Sequence, residues 1–358
     1  MNITLFIGSL VGGGAERVFC NLANSLASKG HQVTIVTNVE AQGVYELEPS
    51  VNRFVLLPEK QRKNKFFNFI HCMKELKKYI KKNPSNNYVV FLPLTTIMLL
   101  AYRKIILGRV VVSERGAPDR YSSFIKLLLK KWIHRSNCVV FQTDDVKNWY
   151  QPYLKKAEGV VIPNAINPAF IREPYLGVKE KSIVAAGRLC EQKNFALLIE
   201  AFSRISDEFS DYKLKIYGKG SLETQLKELT ENKGLSDRVE FMGYVDNMPE
   251  QLEKASLFVL SSDFEGMPNA LMEAMALGLP CVSTECPCGG PKFLIKDKEN
   301  GLLVPVNDVE AMAAAIREML ASEELRNNCG ENARKVVETL NPQKIYGTWE
   351  KVIEESTK

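Results

Sequence analysis

The feature that most constrains this fold is an alternation of short, β-branched apolar runs with longer amphipathic segments. The first half of the chain predicts strands at residues 3–8, 32–37, 53–57, 88–92, 109–113, 138–142 and 160–162. Helical periodicity fills the intervals, for example at residues 15–29 and 66–82. Because the strands are almost continuously apolar, they predict a parallel sheet covered by helices on both faces.

The alternation starts again after a proline-punctuated stretch at residues 163–174. A second set of strands is predicted at residues 182–187, 213–217, 238–241, 257–260, 281–284 and 302–304. The fold class is therefore α/β, with two Rossmann-like domains at residues 1–170 and 171–340. Residues 341–358 predict a last helix that packs back toward the first domain. Since parallel sheets bind ligands beyond their carboxyl ends, we expect the two sheets to face each other across a cleft that holds the site.

Charge and composition narrow the class of protein. Residues 1–170 hold 24 Lys and Arg against 11 Asp and Glu, whereas the remainder holds 23 against 31, so a basic half precedes an acidic one. The two halves are thus expected to meet different partners. The longest apolar run, residues 88–102, is short for a membrane span and predicts a buried strand leading into a helix. No signal-peptide pattern opens the chain, and its eight cysteines form no Cys-x-x-Cys pair, which favours a cytoplasmic protein with reduced thiols.

A glycine cluster follows the first predicted strand and directly precedes a helix. Gly12, Gly13 and Gly14 would let backbone N–H groups approach an anionic ligand at the helix N-terminus. The spacing is not Gly-x-Gly-x-x-Gly, and no acidic residue ends the second strand, so a dinucleotide site is disfavoured. The same glycines could simply turn the chain.

Two cations follow the first strand of the second domain. Arg188 and Lys193 lie within one loop after Gly187. A guanidinium that binds two oxygens and an ammonium acting as a point charge suit a diphosphate. By spacing alone, a pair of solvated surface charges explains them equally well.

The most specific segment is residues 261–280, where two carboxylates stand on either side of a predicted helix start. Glu265 and Gly266 lie in the loop, Pro268 is predicted as the first helical residue, and Glu273 follows about 7–8 Å further along the axis. A diphosphate on the helix N-terminus would then lie between carboxylates that accept hydrogen bonds from sugar and ribose hydroxyls. The alternative is a charge on the helix dipole plus one surface glutamate.

Five motifs together resemble the retaining family 4 glycosyltransferases of the GT-B fold, nearly from end to end. They are Glu265-x7-Glu273, Gly187-Arg188 with Lys193, the opening triple glycine, Val161-Ile162-Pro163-Asn164, and Asn300-Gly301-Leu302-Leu303-Val304. The resemblance implies a hexose or N-acetylhexosamine transferred from a nucleotide-sugar, preferably a UDP-sugar, with retention of configuration. It also implies that protein cations rather than a metal stabilise the leaving phosphate, and no cofactor is expected.

The family pattern carries over to particular residues. Glu265 would contact the transferred sugar and Glu273 the ribose, while Arg188 and Lys193 would hold the diphosphate. The predicted catalytic residues are Glu265, Arg188 and Lys193, and the predicted donor-binding residues are Gly13, Gly14, Gly187, Gly218, Tyr244, Gly266, Met267, Pro268, Asn269, Ala270 and Glu273.

The chain departs from the family pattern at two points. Many relatives carry a histidine after a strand of the first domain, whereas this chain has Glu114 and Arg115 there, and these two are the predicted acceptor-side residues. Phe293 stands where an acidic residue is common, so the donor contact of that position is not carried over to this chain.

Basic residues alternate with apolar ones in two segments of the first half, residues 62–82 and 124–135. Basic amphipathic helices bind anionic lipid, at about 1 kcal/mol per well-placed cation. We therefore expect peripheral docking on the inner face of the plasma membrane, where a polyprenyl-diphosphate-linked glycan acceptor would be presented. An ordinary helix with a solvated basic face is the alternative. Nucleic acid is not expected as a partner, because no recognition motif is present.

Three function classes remain open from the sequence. The first is a glycosyltransferase that builds a lipid-linked oligosaccharide or surface polysaccharide precursor such as O-antigen or lipopolysaccharide. A non-hydrolysing epimerase is the second, although that reaction calls for further acid–base groups and the chain has only three histidines. The third is a catalytically silent subunit that binds glycans or nucleotides.

Overall fold

The described part of the chain forms two compact units. The structure is a computed structural model that describes residues 1–40, 45–62, 64–84 and 86–355. One unit comprises Met1–Ala165 with Gln343–Lys358, and the other comprises Ile166–Pro342. The division lies a few residues before the boundary expected at residue 170. Lys63, counted in the first basic segment, lies outside the described residues.

The first unit is built on a seven-stranded parallel sheet in the order β3-β2-β1-β4-β5-β6-β7. Its strands are β1 Asn2–Ile7, β2 Gln32–Val39, β3 Asn52–Leu57, β4 Asn87–Phe91, β5 Val110–Ser113, β6 Cys138–Phe141 and β7 Glu158–Val161. Its first helices are α1 Gly14–Ser28, α2 Lys65–Lys82, α3 Pro93–Ala101, α4 Ser123–Trp132 and α5 Asp144–Leu154. The order of the strands reverses at β1, which lies between β2 and β4.

The second unit has a six-stranded parallel sheet in the order β10-β9-β8-β11-β12-β13. Its strands are β8 Ser182–Ala186, β9 Lys213–Tyr217, β10 Val239–Gly243, β11 Leu257–Leu260, β12 Cys281–Thr284 and β13 Leu302–Val304. Its helices are α6 Phe195–Ser203, α7 Glu223–Asn232, α8 Met248–Glu253, α9 Asn269–Ala276, α10 Gly290–Leu294, α11 Val309–Ala321, α12 Glu323–Ala333 and α13 Val336–Thr339.

The last helix, α14 Pro342–Glu354, packs on the first unit. Trp349 is fully buried, and its ring stacks on Phe91 with the centroids 5.8 Å apart. The Asn87 amide donates to the Ile353 carbonyl at 3.2 Å. The chain therefore leaves the first unit after Ala165 and contributes to it again with α14.

The sequence-based fold is confirmed. Each predicted strand is present, with its ends within two residues of those expected. Residues 88–102 form β4 and α3, because Pro93 begins a helix immediately after the strand. No helix among the described residues is long and apolar enough to cross a membrane. The predicted site residues follow β1 and β5 in one unit, and β8, β9, β10 and β11 in the other.

Candidate active site

The loops that follow β8 and β11 lie side by side, because the two strands are neighbours in the same sheet. Hydrogen bonds join them at three points. The Asp263 N–H donates to the Gln192 carbonyl at 2.9 Å, and the Gln192 amide donates to the Phe264 carbonyl at 2.9 Å. The Ser261 hydroxyl donates to the Lys193 carbonyl at 2.9 Å. These bonds hold the two loops in one fixed arrangement.

That arrangement brings Lys193 and Glu265 into an ion pair, 72 residues apart in sequence. The Lys193 Nζ lies 2.5 Å from Glu265 Oε1, and both side chains are largely buried. The Ser262 hydroxyl donates to the same oxygen at 2.8 Å. Ser262 escaped the sequence prediction, although it lies three residues before Glu265. A carboxylate held by two donors is oriented before any ligand arrives.

Helix α9 begins at Asn269, one residue later than predicted. Pro268 was expected as its first residue, but it is the N-cap, with extended backbone at φ −76° and ψ 99°. Since Pro268 has no side-chain acceptor, it cannot cap the first-turn N–H groups itself. The positive end of the helix dipole, at Asn269 and Ala270, therefore favours negative charge.

Glu273 lies in the second turn of α9 and is buried, so it is not the surface glutamate of the simpler alternative. Met267 and Pro268 are buried as well. The two predicted carboxylates thus belong to one buried segment that contains a helix N-terminus. Such a segment pairs acceptors for hydroxyl groups with a place for an anion.

Three glycines let backbones touch around this segment. A Cβ on Gly218, whose φ is +133°, would lie 1.9 Å from the Gly187 carbonyl oxygen. A Cβ on Gly290 would lie 2.0 Å from the Gly266 carbonyl oxygen. At Gly187 a Cβ would approach the Lys193 side chain to 3.1 Å. Gly218 and Gly290 therefore hold positions that only glycine fits, and Gly290 was not among the predicted residues.

Two further predicted donor residues are exposed. Arg188 follows Gly187 in the loop after β8, and it forms no ion pair among the described residues. Tyr244 follows β10 and is 70% exposed. Solvent-facing groups of this kind can turn toward a ligand without first breaking an internal contact.

The remaining predicted residues lie in the first unit. Gly13 is the N-cap of α1 and Gly14 its first residue, directly beyond β1. A Cβ on Gly13 would lie 2.4 Å from the Glu16 carboxylate, the end of a flexible side chain that could move aside. Gly12 has a φ of +91°, which favours glycine. A loop that begins after Ile7 separates these glycines from β1, and Gly13 and Gly14 begin α1, as the sequence predicts.

Glu114 and Arg115 turn inward at the end of β5. Glu114 accepts bonds from the backbone N–H groups of Arg115 and Gly116 at 3.0 and 3.1 Å. It also accepts from the hydroxyls of Tyr121 and Tyr150 at 2.5 and 2.7 Å. Burial raises the pKa of the Glu114 carboxyl, although these bonds oppose the shift. The acceptor-side role of Glu114 and Arg115 stays a prediction.

One group of possible metal ligands occurs among the described residues, far along the chain from the predicted donor residues. His31, Glu350 and Glu354 bring their ligand atoms within 4.8 Å of one another. The His31 ring already bonds Glu350 at 2.8 Å and lies 3.2 Å from the Met1 amino group. The group therefore acts as a contact between α14 and the start of β2.

Two family models match consecutive parts of the chain. The model described as "Glycosyltransferase Family 4" matches residues 12–170, and "Glycosyl transferases group 1" matches residues 168–336. Twin parallel sheets with this site define a glycosyltransferase of the GT-B fold. The chain belongs to the family 4 glycosyltransferases, which separates it from the epimerase alternative.

Similar proteins agree with this assignment. An α-1,4-N-acetyl-D-galactosaminyltransferase of Campylobacter jejuni that acts on an undecaprenol-linked glycan is 28% identical over 372 residues, covering 99% of each chain. The lipopolysaccharide core glycosyltransferase LpsE of Rhizobium meliloti is 27% identical and covers 91% of each. Among solved structures, sucrose-phosphate synthase of Thermosynechococcus elongatus superposes with a TM-score of 0.84 at 20% identity, over 98% of each chain.

Proposed function

We propose that this enzyme transfers a hexose or N-acetylhexosamine from a nucleotide-sugar, UDP-linked, to a lipid-linked oligosaccharide or surface polysaccharide precursor. The observation that carries the proposal is the largely buried Lys193–Glu265 ion pair. Its carboxylate, Glu265, lies four residues before Asn269, the first residue of α9. Together they combine a cation, an oriented carboxylate and a helix dipole. These are the groups that a sugar diphosphate needs.

Each group has a separate role in the proposed reaction. Arg188 and Lys193 bind the diphosphate, with the N-terminus of α9 favouring the same negative charge. Glu265 accepts hydroxyl bonds from the transferred sugar, and Glu273 accepts those of the ribose. As the glycosidic bond to phosphate breaks, charge grows on the leaving oxygen, and these cations stabilise it without a metal. The acceptor hydroxyl attacks from the face that the phosphate leaves and gives its proton to the leaving phosphate oxygen, so the configuration is retained.

The nature of the donor base is supported by fold neighbours. HepE of Anabaena, solved with UDP, superposes with a TM-score of 0.81 at 16% identity over 99% of each chain. The nature of the acceptor is supported by the Campylobacter jejuni relatives, whose names specify diphospho-undecaprenol glycans.

A donor screen tests the proposal. Binding of UDP, GDP and a panel of UDP- and GDP-sugars is measured by calorimetry, with and without a chelator. We expect UDP compounds to bind and the chelator to change their affinity little. Preference for GDP would overturn the assignment of the base, and a strict metal requirement would contradict leaving-group stabilisation by protein cations. Release of free nucleotide only when acceptor is added distinguishes an enzyme from a silent binding subunit.

We also propose peripheral membrane docking through α2 and α4. The first turns of α2 expose Phe66, Phe67 and Phe69, and the same helix ends with Lys81 and Lys82. Helix α4 exposes Phe124 and Leu127 and carries Lys130 and Lys131 in its last turn. Helices that carry both exposed aromatic rings and lysines suit the interface of an anionic bilayer.

Liposome flotation tests the docking. We expect recovery with vesicles that contain phosphatidylglycerol and little with zwitterionic ones. Phe66→Ser combined with Phe67→Ser should reduce recovery, whereas Phe293→Ser, an exposed phenylalanine of the second unit, should not. Equal recovery with both kinds of vesicle would refute an electrostatic contribution.

A further inference from the structure

Arg115 is held inside the first unit by contacts between its guanidinium group and four side chains. Its Nε donates to the Ser113 hydroxyl at 2.7 Å, and its Nη1 donates to the Asn164 side-chain oxygen. The group lies over the rings of Phe91, at 4.5 Å, and Trp349, at 5.6 Å. A side chain fixed in this way cannot swing toward a ligand without leaving four partners.

The environment is unusual for a cation. Among the described residues no carboxylate forms an ion pair with Arg115, and its Nη2 is buried without a hydrogen-bond partner. Burial lowers the pKa of Arg115 to about 9, so the group stays charged at neutral pH. The charge of Glu114 opposes this lowering of the pKa, but a buried cation without a direct ion pair is still costly, and the two aromatic faces offset only part of that cost.

Two of the four partners of Arg115, Asn164 and Trp349, belong to the segments by which the chain crosses between its units, which are residues 160–166 (the outgoing segment) and α14 (the returning helix). Asn164 stands at the end of the outgoing segment, and its oxygen also accepts a bond from Gln142 at 2.9 Å. Trp349 stands on α14, just after the chain re-enters the first unit. The outgoing segment is joined to the chain just before α14 by a bond from the Ile166 N–H to the Leu340 carbonyl at 3.0 Å.

We propose that Arg115 is a positioning residue that anchors both crossing segments on the first unit, rather than a residue that contacts acceptor or donor. One planar cation binds the outgoing segment through a hydrogen bond and the returning helix through its ring face. Lysine cannot do both, because it has no planar fork to stack and donate at the same time. The contacts with Asn164 and Trp349 explain why a buried cation at this position is useful despite its desolvation cost.

Hydrogen exchange of the whole enzyme tests the anchor without any substrate. Arg115→Lys is compared with Arg103→Lys, a matched control in the same unit. Arg103 also makes three hydrogen bonds, to the Arg135 and Ile106 carbonyls and the Asn137 side chain, but touches neither crossing segment. In Arg115→Lys we expect amide exchange to quicken by about tenfold in residues 160–166 and 345–353, with the loops after β8 and β11 unchanged. Exchange that is unaltered there, or raised evenly as in the control, overturns the proposal.

Asn164→Ala supplies a second, milder variant in case Arg115→Lys does not fold. It removes the bonds that Asn164 accepts from Arg115 and Gln142, and it leaves the contact between Arg115 and the Trp349 ring in place. We expect faster exchange in residues 160–166 while residues 345–353 keep their protection. Unchanged exchange in residues 160–166 would show that the bond from Arg115 does not hold this segment.

A kinetic split separates positioning from direct contact with the donor, and this arm rests on the proposed function. With the best donor from the screen, Arg115→Lys should keep its UDP affinity within about twofold while kcat falls by about tenfold or more. Arg103→Lys should keep both. A loss of UDP affinity in Arg115→Lys would indicate a ligand contact and overturn the positioning role. If the screen finds no donor, the exchange arm still decides the anchor.

Discussion

At the scale of single residues, the site depends on how a few charges are compensated. Glu265 receives Lys193 and Ser262 on one oxygen, so its charge is both oriented and partly balanced. Arg188 has no such partner among the described residues and stays in solvent. In the proposed reaction, the preorganised carboxylate of Glu265 favours a fast transfer step. The exposed guanidinium of Arg188 favours donor binding, because it is available to an incoming diphosphate.

Glu265→Gln is expected to lower turnover by about 100-fold or more, because the neutral amide cannot replace the charge that we propose faces the transferred sugar. Steady-state kinetics with a UDP-sugar measures this. The matched control is Glu285→Gln, which removes an exposed carboxylate paired with Lys292 at the end of β12. Near-normal turnover in Glu265→Gln would show that its assigned role is wrong.

Arg188→Ala is expected to weaken UDP binding by about 1.5–3 kcal/mol, the usual range for a hydrogen bond to a charged group, and to slow transfer as well. Calorimetry measures the first effect. Arg204→Ala, which removes an exposed arginine paired with Glu310, should leave affinity unchanged. Equal affinities for the Arg188 variant and the unaltered enzyme would remove Arg188 from the diphosphate site.

At the scale of elements, the site is shaped by backbones in contact. The start of α10 touches the loop before α9, because Gly290 has no Cβ to keep it from Gly266. The loop after β9 touches the loop after β8 in the same way, through Gly218 and Gly187. These contacts position the N-terminus of α9 more firmly than any single side chain does.

Gly290→Ala is expected to destabilise the second unit by about 2 kcal/mol or more, since the new methyl group meets backbone atoms that cannot move aside easily. UDP affinity should fall with it. Gly347→Ala is the control, because nothing lies within 4 Å of a Cβ at that position in α14. Alanine there should increase the free energy of unfolding by as much as about 1 kcal/mol. Denaturant unfolding measures both variants. A neutral Gly290→Ala would mean that the contact with Gly266 is easily relaxed.

At the scale of the whole molecule, the last helix, α14, packs on the unit formed by the first half of the chain. Helix α14 follows the last residues of the second unit but completes the first, with Trp349 on Phe91 and Glu350 bonded by Lys29 and His31. The end of the chain therefore stabilises a domain that its beginning encodes.

Low pH should weaken the contact between Glu350 on α14 and its partners Lys29 and His31. Bonds from Lys29 and then His31 lower the pKa of Glu350, so the stability that it contributes is present above its unfolded value and is lost as pH falls through the folded pKa. We expect Glu350→Gln to cost about 0.5–1 kcal/mol at pH 7 and to flatten the loss of stability below about pH 5.

Urea unfolding at pH 7, 5, 4 and 3 measures this dependence. Glu75→Gln is the control, because Glu75 pairs with Lys78 inside α2 and joins no distant segments. Parallel stability profiles for Glu350→Gln and the unaltered protein would contradict a role for this carboxylate.

The sequence by itself determined the two parallel sheets, their strands and the residues at the strand ends. It could do so because apolar periodicity and helix-start chemistry are local properties. The position of Glu265 before the start of α9, and of Glu273 inside it, likewise followed from their spacing. The first residue of α9 did not, since Pro268 takes an extended backbone.

Only the tertiary structure decided which partners meet across long stretches of chain. Lys193 and Ser262 converge on Glu265 because β8 and β11 are neighbours in a sheet whose order differs from the order of the sequence. Gly290 reaches Gly266 because β11 and β12 are neighbours in the sheet, and Arg115 contacts Trp349 because α14 packs on the first unit. Local patterns encode strands and helices, but contacts between distant residues depend on how those elements pack, and that packing is a property of the whole fold.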